Sequence, residues 1–392
     1  MAKQHIISGI DIGNSQVKAI IARFNTDNLT PEILGAGSAP SNGLRKGAVV
    51  DMEETVENIR TAVQRAEAMS GNQIKRAYLA VNGLHIRTQI SRGVIAVSRA
   101  DNEISQSDID RVIQAASVIS MPANREIIHV VPRNYIVDGV EYVKNPIGMK
   151  GVRLEAEVHI ITAATTSIQN MIKSVAKAGF QHRDIVFNPI ASADAVIGRD
   201  ERELGVALID IGGGTTDVAV ISLGGIVSST SVKCAGNRID ESIADYIKKT
   251  FNLAIGDKTA ENIKMKIGSA LPIDEELSMI IKGRDLVSGL PRSVEIKTNE
   301  IVKAISRELR EIIKAVKDVL QEIPPELAAD IIDQGIIMTG GTSSLRNLPE
   351  LIFRRVGVKT TLAKDPLFCV AKGTGIALEH LGAYKKTMIS KR

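Results

Sequence analysis

Leu208-Ile209-Asp210-Ile211-Gly212-Gly213-Gly214-Thr215-Thr216-Asp217 is an apolar run that breaks into an Asp-x-Gly turn, and a second β-rich run, Val218–Leu223, follows at once. The same grammar stands near the start: Ile6-Ile7-Ser8-Gly9-Ile10-Asp11-Ile12-Gly13-Asn14-Ser15, then Val17–Ala22. Asp11 and Asp210 lie about half the chain apart, so the pattern is an internal repeat. Each copy reads as strand, tight turn, strand: a β-hairpin whose glycines let backbone N–H groups point at a ligand.

A third glycine turn, Gly335-Ile336-Ile337-Met338-Thr339-Gly340-Gly341-Thr342-Ser343-Ser344, ends a buried strand where a helix begins, a place for an anion or a sugar hydroxyl. Ile301, Ala304, Ile305, Leu309, Ile312, Ile313, Val316 and Leu320 form one stripe of a helix that Pro324-Pro325 stops. Strands alternating with amphipathic helices predict an α/β architecture. Residues 84–163 break the rhythm. There, Leu154, Ala156, Val158 and Ile160 alternate with Arg153, Glu155, Glu157 and His159, which predicts a strand with one wet face. Ser105-Gln106-Ser107-Asp108 opens a helix in capping-box fashion, with Ile109, Val112, Ile113 and Ala116 on its inner face. The segment reads as an inserted α+β module.

Composition excludes several classes. The 392 residues carry 49 Lys+Arg against 45 Asp+Glu, a net charge of +4 spread along the chain, with 44% apolar and 24% charged residues. A disordered chain would be less apolar and more strongly charged. The sequence holds no run of ~18 apolar residues, and its start, MAKQHIISGIDIG, lacks the apolar core of a signal peptide. Cys234 and Cys369 form no metal or redox motif, the six histidines are scattered, and aromatics are only 3% with no Trp. Zinc and disulfide frameworks are therefore not expected, nucleic acid is not an expected partner, and a reduced cytoplasm is the default.

Glycine-rich turns bring backbone donors around phosphate oxygens, where a side chain would collide. Two carboxylates near a polyphosphate repel it unless a cation sits between them, so Asp11 and Asp210 suit Mg²⁺ held through waters. Lys18 can add a point charge for a β-phosphate. No GxxxxGK[ST] occurs, and no GxGxxG precedes a helix, which leaves a two-lobed nucleotide clamp.

Asp11–Lys18, Asp210–Asp217 and Thr339–Ser344 resemble the two phosphate loops and the adenosine loop of the actin, Hsp70 and sugar-kinase superfamily. Within it, the first half resembles the bacterial cell-division actin FtsA, through Gly9–Gly13, Asn145–Arg153, Asp200–Val206 and the 84–163 insert. From Gly212 onward the chain is more similar to the cell-shape actin MreB, through Asn237–Glu241, Thr259–Lys264, Gly283–Pro291, Pro324–Ala328, Lys364–Val370 and Gly373–Gly375. The implied fold is an α/β, actin/Hsp70-like duplicated two-lobed ATPase with an inserted α+β subdomain. It divides into lobe I (1A) at 1–83, 164–197 and 357–392, the insert (1C) at 84–163, lobe II (2A) at 198–225 and 305–356, and 2B at 226–304.

The resemblance also implies roles. Gly13, Asn14, Ser15 and Lys18 would hold one side of the phosphates of ATP, and Gly212, Gly213, Gly214, Thr215 and Thr216 the other. Glu261 and Lys264 match the pair that clamps adenine and ribose, with Gly236, Gly340, Gly341 and Thr342 lining the rest. Asp217 stands where the family orients the attacking water. MreB-type chains carry a Glu before the proline at Asn188-Pro189, so Asn188 implies slow hydrolysis: Asn can orient a water but is no base. The implied function is an ATP-binding filament that organises bacterial division at the inner face of the cell membrane, with FtsZ and other division proteins as partners. The competing expectations are an MreB-like filament guiding wall synthesis and a small-molecule kinase. The basic end, Ala383–Arg392, is too short for a membrane-binding amphipathic helix, so partners, assembly or weak tail contacts would supply membrane affinity.

Overall fold

A computed structural model describes residues 4–25, 28–45, 47–143, 145–198, 204–222 and 225–374. Asp200–Glu203, Gly375 and the tail Ala383–Arg392 lie outside the described residues. The repeat in the sequence is a repeat of topology. One five-stranded sheet has the order Gln181–Phe187, Arg76–Val81, Gln4–Ile12, Gln16–Asn25, Asn28–Pro40. The other runs Thr360–Leu362, Ile336–Thr339, Val206–Ile211, Thr216–Ser222, Gly225–Val232. In both, the first hairpin strand is central, antiparallel to its hairpin partner on one side and parallel to a crossover strand on the other.

Strand alternation explains why these runs carry so few polar residues. Along Val206–Ile211, Ala207, Ile209 and Ile211 enter the core of the second lobe, with the long helix Thr298–Gln321 and its stripe from Ile301 to Val316. Val206 and Leu208 point the other way, into the core of the first lobe. Asp210 continues that second row, so a period of two places its carboxylate between the lobes. In the first hairpin, Ile10 and Ile12 face the core under helices Met52–Ser70 and Thr165–Ala178, while Asp11 lies opposite Lys18 in register. Gly373 packs so closely on the backbone of Ala191 that no side chain fits between them, which ties the segment after Pro366 to the helix Asn188–Val196.

The insert is a four-stranded sheet, Arg87–Ala96, Arg153–Ala164, Arg125–Val137, Val140–Val143, with the helix Gln106–Ser117 on one face. The Asp108 carboxylate accepts from Ser105 N–H and Oγ, and Ile109, Val112, Ile113 and Ala116 are buried against the sheet. The expectation of a wet face on Arg153–Ala164 holds only in part: Arg153 is exposed and Glu157 half-buried, but Glu155 and His159 are 3% and 4% exposed. The strand is interior, flanked on both sides, and Arg92 and Arg153 close on Glu155 at 2.6 and 3.0 Å. Gly225 of the second lobe packs against Val131 and Pro132, the register partners of His159 and Val158. Toward the first lobe, His129 Nε2 accepts the Phe187 N–H at 3.0 Å, while Arg125 ties the ends of the insert together by donating to the carbonyls of His85 and Thr162, each at 2.9 Å.

Burial holds the His129 imidazole neutral, its pKa lowered to about 4. A folded-state pKa below the unfolded value of 6.5 means stability present above pH 6.5 and lost as pH falls toward 4, by about 1.4 kcal/mol per unit. His129→Gln keeps an acceptor for Phe187 N–H and cannot take a proton. Chemical unfolding at pH 7.5, 6 and 5 is expected to show wild type losing ground to the variant at each step; a difference independent of pH contradicts the assignment.

Candidate functional site

The two hairpin turns close in the same way. Gly13 N–H donates to Gln16 O at 3.1 Å, and Gly212 N–H donates to Thr215 O at 3.0 Å. They face one another across the lobes. Ser15 Oγ donates to Asn237 Oδ1 at 2.9 Å, and a Cβ at Gly213 or Gly214 would collide with the side chains of Ser15 and Asn14. Close approach, rather than left-handed backbone, is therefore what requires glycine there. The third turn joins them: Thr342 Oγ1 donates to Gly212 O at 2.7 Å, and Gly340, at φ +85°, leaves no room for a side chain beside Asp210 and Ile211. The strand Ile336–Thr339 runs into a short 3₁₀ turn, Gly341–Ser344, before the helix Leu348–Val356.

A cavity of about 330 Å³ opens among these turns. Of the expected site residues, Asp11, Gly13, Asn14, Ser15, Lys18, Asn188, Asp210, Gly212, Gly213, Gly214, Thr215, Asp217, Glu261, Lys264, Gly340, Gly341 and Thr342 line it. Thr216 and Gly236 are not on the wall. Thr216 is fully buried on the opposite strand face, its hydroxyl bonded to Cys234 O at 2.6 Å. Gly236 stands behind, its N–H on Gly212 O and its carbonyl taking Lys264 Nζ at 3.3 Å. Glu261 and Lys264 share the helix Asp257–Ile267, yet Lys264 pairs with Asp240 at 2.7 Å while Glu261 stays exposed at the rim. Asp240 is nonetheless raised to about 6, because burial outweighs the ammonium beside it. Lys18 pairs with Asp11 at 3.1 Å.

Asn82, Gly47, Asn237 and Met265 also line the cavity, and sequence reasoning missed them. Asn82 follows the strand Arg76–Val81 and gives no signal beyond an Asn-Gly pair, which reads as an ordinary turn. Its amide donates to Thr215 Oγ1 at 3.1 Å and to Asp217 Oδ2.

Electrostatically the cavity holds more buried negative charge than it compensates. Burial, with Asp217 and Asp11 nearby, pushes Asp210 up to about 7 against the pull of Lys18. Burial raises Asp217 to about 6. Among the described residues Asn188 Oδ1 has no hydrogen-bond partner, and it is buried. Such a donor set fits a divalent cation. Among the described residues no group of three or more His, Cys, Asp or Glu is placed to hold a metal by itself. Mg²⁺, which keeps several waters and shares phosphate oxygens, suits such a site.

A family model for the MreB/Mbl protein matches residues 153–386, more than half of the chain, and a model for the SHS2 domain inserted in FtsA matches residues 83–162. The cell division protein FtsA of Pseudomonas aeruginosa is 35% identical over 97% of this chain and 90% of its own. The chain belongs to the FtsA family of cell-division proteins. The Bacillus subtilis FtsA is 34% identical over 90% of this chain and 77% of its own. Among solved structures, MreB5 of Spiroplasma citri bound to ADP superposes with a TM-score of 0.64 at 25% identity, covering 96% of this chain and 97% of that one. The fold is that of the actin-like ATPases, as the resemblance implied. Among the described residues no helix is long and apolar enough to cross a membrane.

Asp210→Asn tests the charge strain. The raised pKa means that ionised Asp210 destabilises the fold above pH 7 by an amount that fades as pH falls toward 4. At pH 8 the variant is expected to be more stable than wild type by a few kcal/mol, on the order set by a shift of this size, and to lose that advantage at pH 4–5. Equal unfolding curves at pH 8 contradict the reading.

Proposed function

We propose that the protein binds ATP with Mg²⁺ between its lobes, turns it over slowly, and assembles into filaments that organise cell division at the inner face of the cell membrane. In this reading it links the FtsZ ring to other division proteins. One observation carries the nucleotide part: three glycine turns from separate parts of the chain converge on one cavity whose buried carboxylates call for a cation. The ADP bound by MreB5 of Spiroplasma citri supports the same choice of ligand.

Phosphates would lie between Gly13–Ser15 and Gly212–Thr215, with Asp11 and Asp210 toward the metal's water shell. The adenosine would take the side of Glu261, Lys264, Gly340, Gly341 and Thr342. Asp217 and Asn188 are the groups that would orient a water for hydrolysis. The free Oδ1 of Asn188 can accept a hydrogen bond from a water, but an amide takes no proton, and slow turnover follows. The proposed partition is lobe I at 1–83, 164–197 and 357–392, the insert at 84–163, and lobe II at 198–225 and 305–356 with 226–304 as its second subdomain. The SHS2 match favours an FtsA-like role over an MreB-like shape filament, although the second half matches the MreB/Mbl model. Membrane affinity would come from partners, from the multivalency of a filament or from weak tail contacts.

Calorimetry with Mg²⁺–ATP, turnover assays, and electron microscopy of the full chain with Mg²⁺–ATP, with and without anionic vesicles, test this reading. Saturable binding that requires Mg²⁺, filaments in ATP and slow phosphate release are expected. A kcat of ~10–100 s⁻¹, as in metabolic kinases, or a monodisperse monomer in every condition, would overturn it.

A further inference from the structure

Asn82 occupies a position that the phosphate turns alone do not explain. It belongs to the first lobe, one residue beyond the strand Arg76–Val81, yet both acceptors of its amide, Thr215 Oγ1 and Asp217 Oδ2, belong to the second. Its own Oδ1 accepts the Gly83 N–H at 2.6 Å, which orients the amide so that the NH₂ group faces across the cleft. Gly83 follows at φ +129°, a backbone that favours glycine and keeps that N–H turned back on the side chain. Thr215 Oγ1 in turn donates to Asp217 Oδ2 at 3.2 Å, so Asn82, Thr215 and Asp217 form one closed set of hydrogen bonds on the cavity wall. Asp217 is the register partner of Asp210, at the root of the second glycine turn.

We propose that Asn82 is a positioning residue of the nucleotide site, which favours a nucleoside triphosphate over a diphosphate by holding Thr215 and the Asp217 carboxylate in place across the cleft. The inference rests on the nucleotide reading above. A triphosphate brings additional negative charge to the turns where Asp217 is buried. A carboxylate whose density is drawn onto an amide donor repels that charge less than a bare one, and a Thr215 hydroxyl fixed by the same amide keeps the turn in the shape that receives phosphate. Deleting the donor therefore weakens the triphosphate more than the diphosphate.

The test is equilibrium titration of the full chain with ATP and with ADP, each with Mg²⁺, for wild type, Asn82→Ala, Asn82→Ser and Asn82→Asp, with thermal melts of all four. Asn82→Asp keeps the size of the side chain, replaces the donor with an acceptor and sets a second carboxylate beside Asp217, so any loss it shows is not a packing effect. The ratio of ATP to ADP affinity is expected to fall about tenfold in Asn82→Ala, the usual scale for losing a hydrogen bond to a charged group. It should fall at least as far in Asn82→Asp and recover in part in Asn82→Ser, whose hydroxyl still donates. An unchanged ratio, or both affinities reduced by the same factor, overturns the proposal. If Asn82→Ala does not fold, the Asp and Ser variants decide on the same criterion. Wild type that binds neither nucleotide would instead overturn the nucleotide reading itself.

Discussion

The cleft is organised around the burial of Asp210. Its carboxylate sits between two lobes, with Asp217 across the hairpin and Asp11 on the facing one, and Lys18 as the cation that partly compensates. A buried acid in that company is driven toward its neutral form, and each step that restores its charge must bring positive charge with it. The neighbouring features follow from this. Gly340 keeps side chains away from Asp210, Ser192 Oγ donates to it at 3.3 Å, and the backbone donors of the glycine turns lie around the same cavity. A site of this kind is poorly matched to solvent and well matched to a cation with a polyphosphate.

Strand geometry is what puts the carboxylates there twice. The period of two in Val206–Ile211 divides its residues between two cores, and Asp210 falls on the row that points between the lobes. The first hairpin repeats the turn and its i to i+3 closure, so the two glycine turns meet face to face. The insert then bridges both halves, through His129 to the first lobe and through Val131 and Pro132 to the second. An element that touches both lobes is placed to feel any change in their separation.

Much of this was legible in the sequence because backbone chemistry leaves local marks. Asp-x-Gly after an apolar run marks a hairpin turn, and its recurrence half a chain later marks a duplicated lobe; the stripe from Ile301 to Leu320 marks a helix. What stayed hidden depends on residues that meet only after folding. Asn82 in an Asn-Gly pair looks like any turn, and nothing local says that its amide reaches Asp217, far along the chain. Glu155 and His159 keep the alternation of a half-exposed strand, and only the flanking strands, Arg92 and the second lobe bury them. Thr216 sits inside the glycine-turn motif, but strand parity turns its hydroxyl away to Cys234. The likeness of Lys264 to a nucleotide clamp was visible, whereas its partner Asp240 came from the preceding helix, Gly236–Phe251.

The central claim is that the facing hairpin turns hold the phosphates of a nucleotide with its metal. A crystal or cryo-electron-microscopy structure of the full chain with Mg²⁺ and a non-hydrolysable ATP analogue tests it most directly. The account predicts a triphosphate between Gly13–Ser15 and Gly212–Thr215, a metal beside Asp11 and Asp210, and the base between Lys264 and Gly341. A nucleotide bound elsewhere, or a cleft that stays closed by the Ser15–Asn237 contact at saturating ligand, would contradict it.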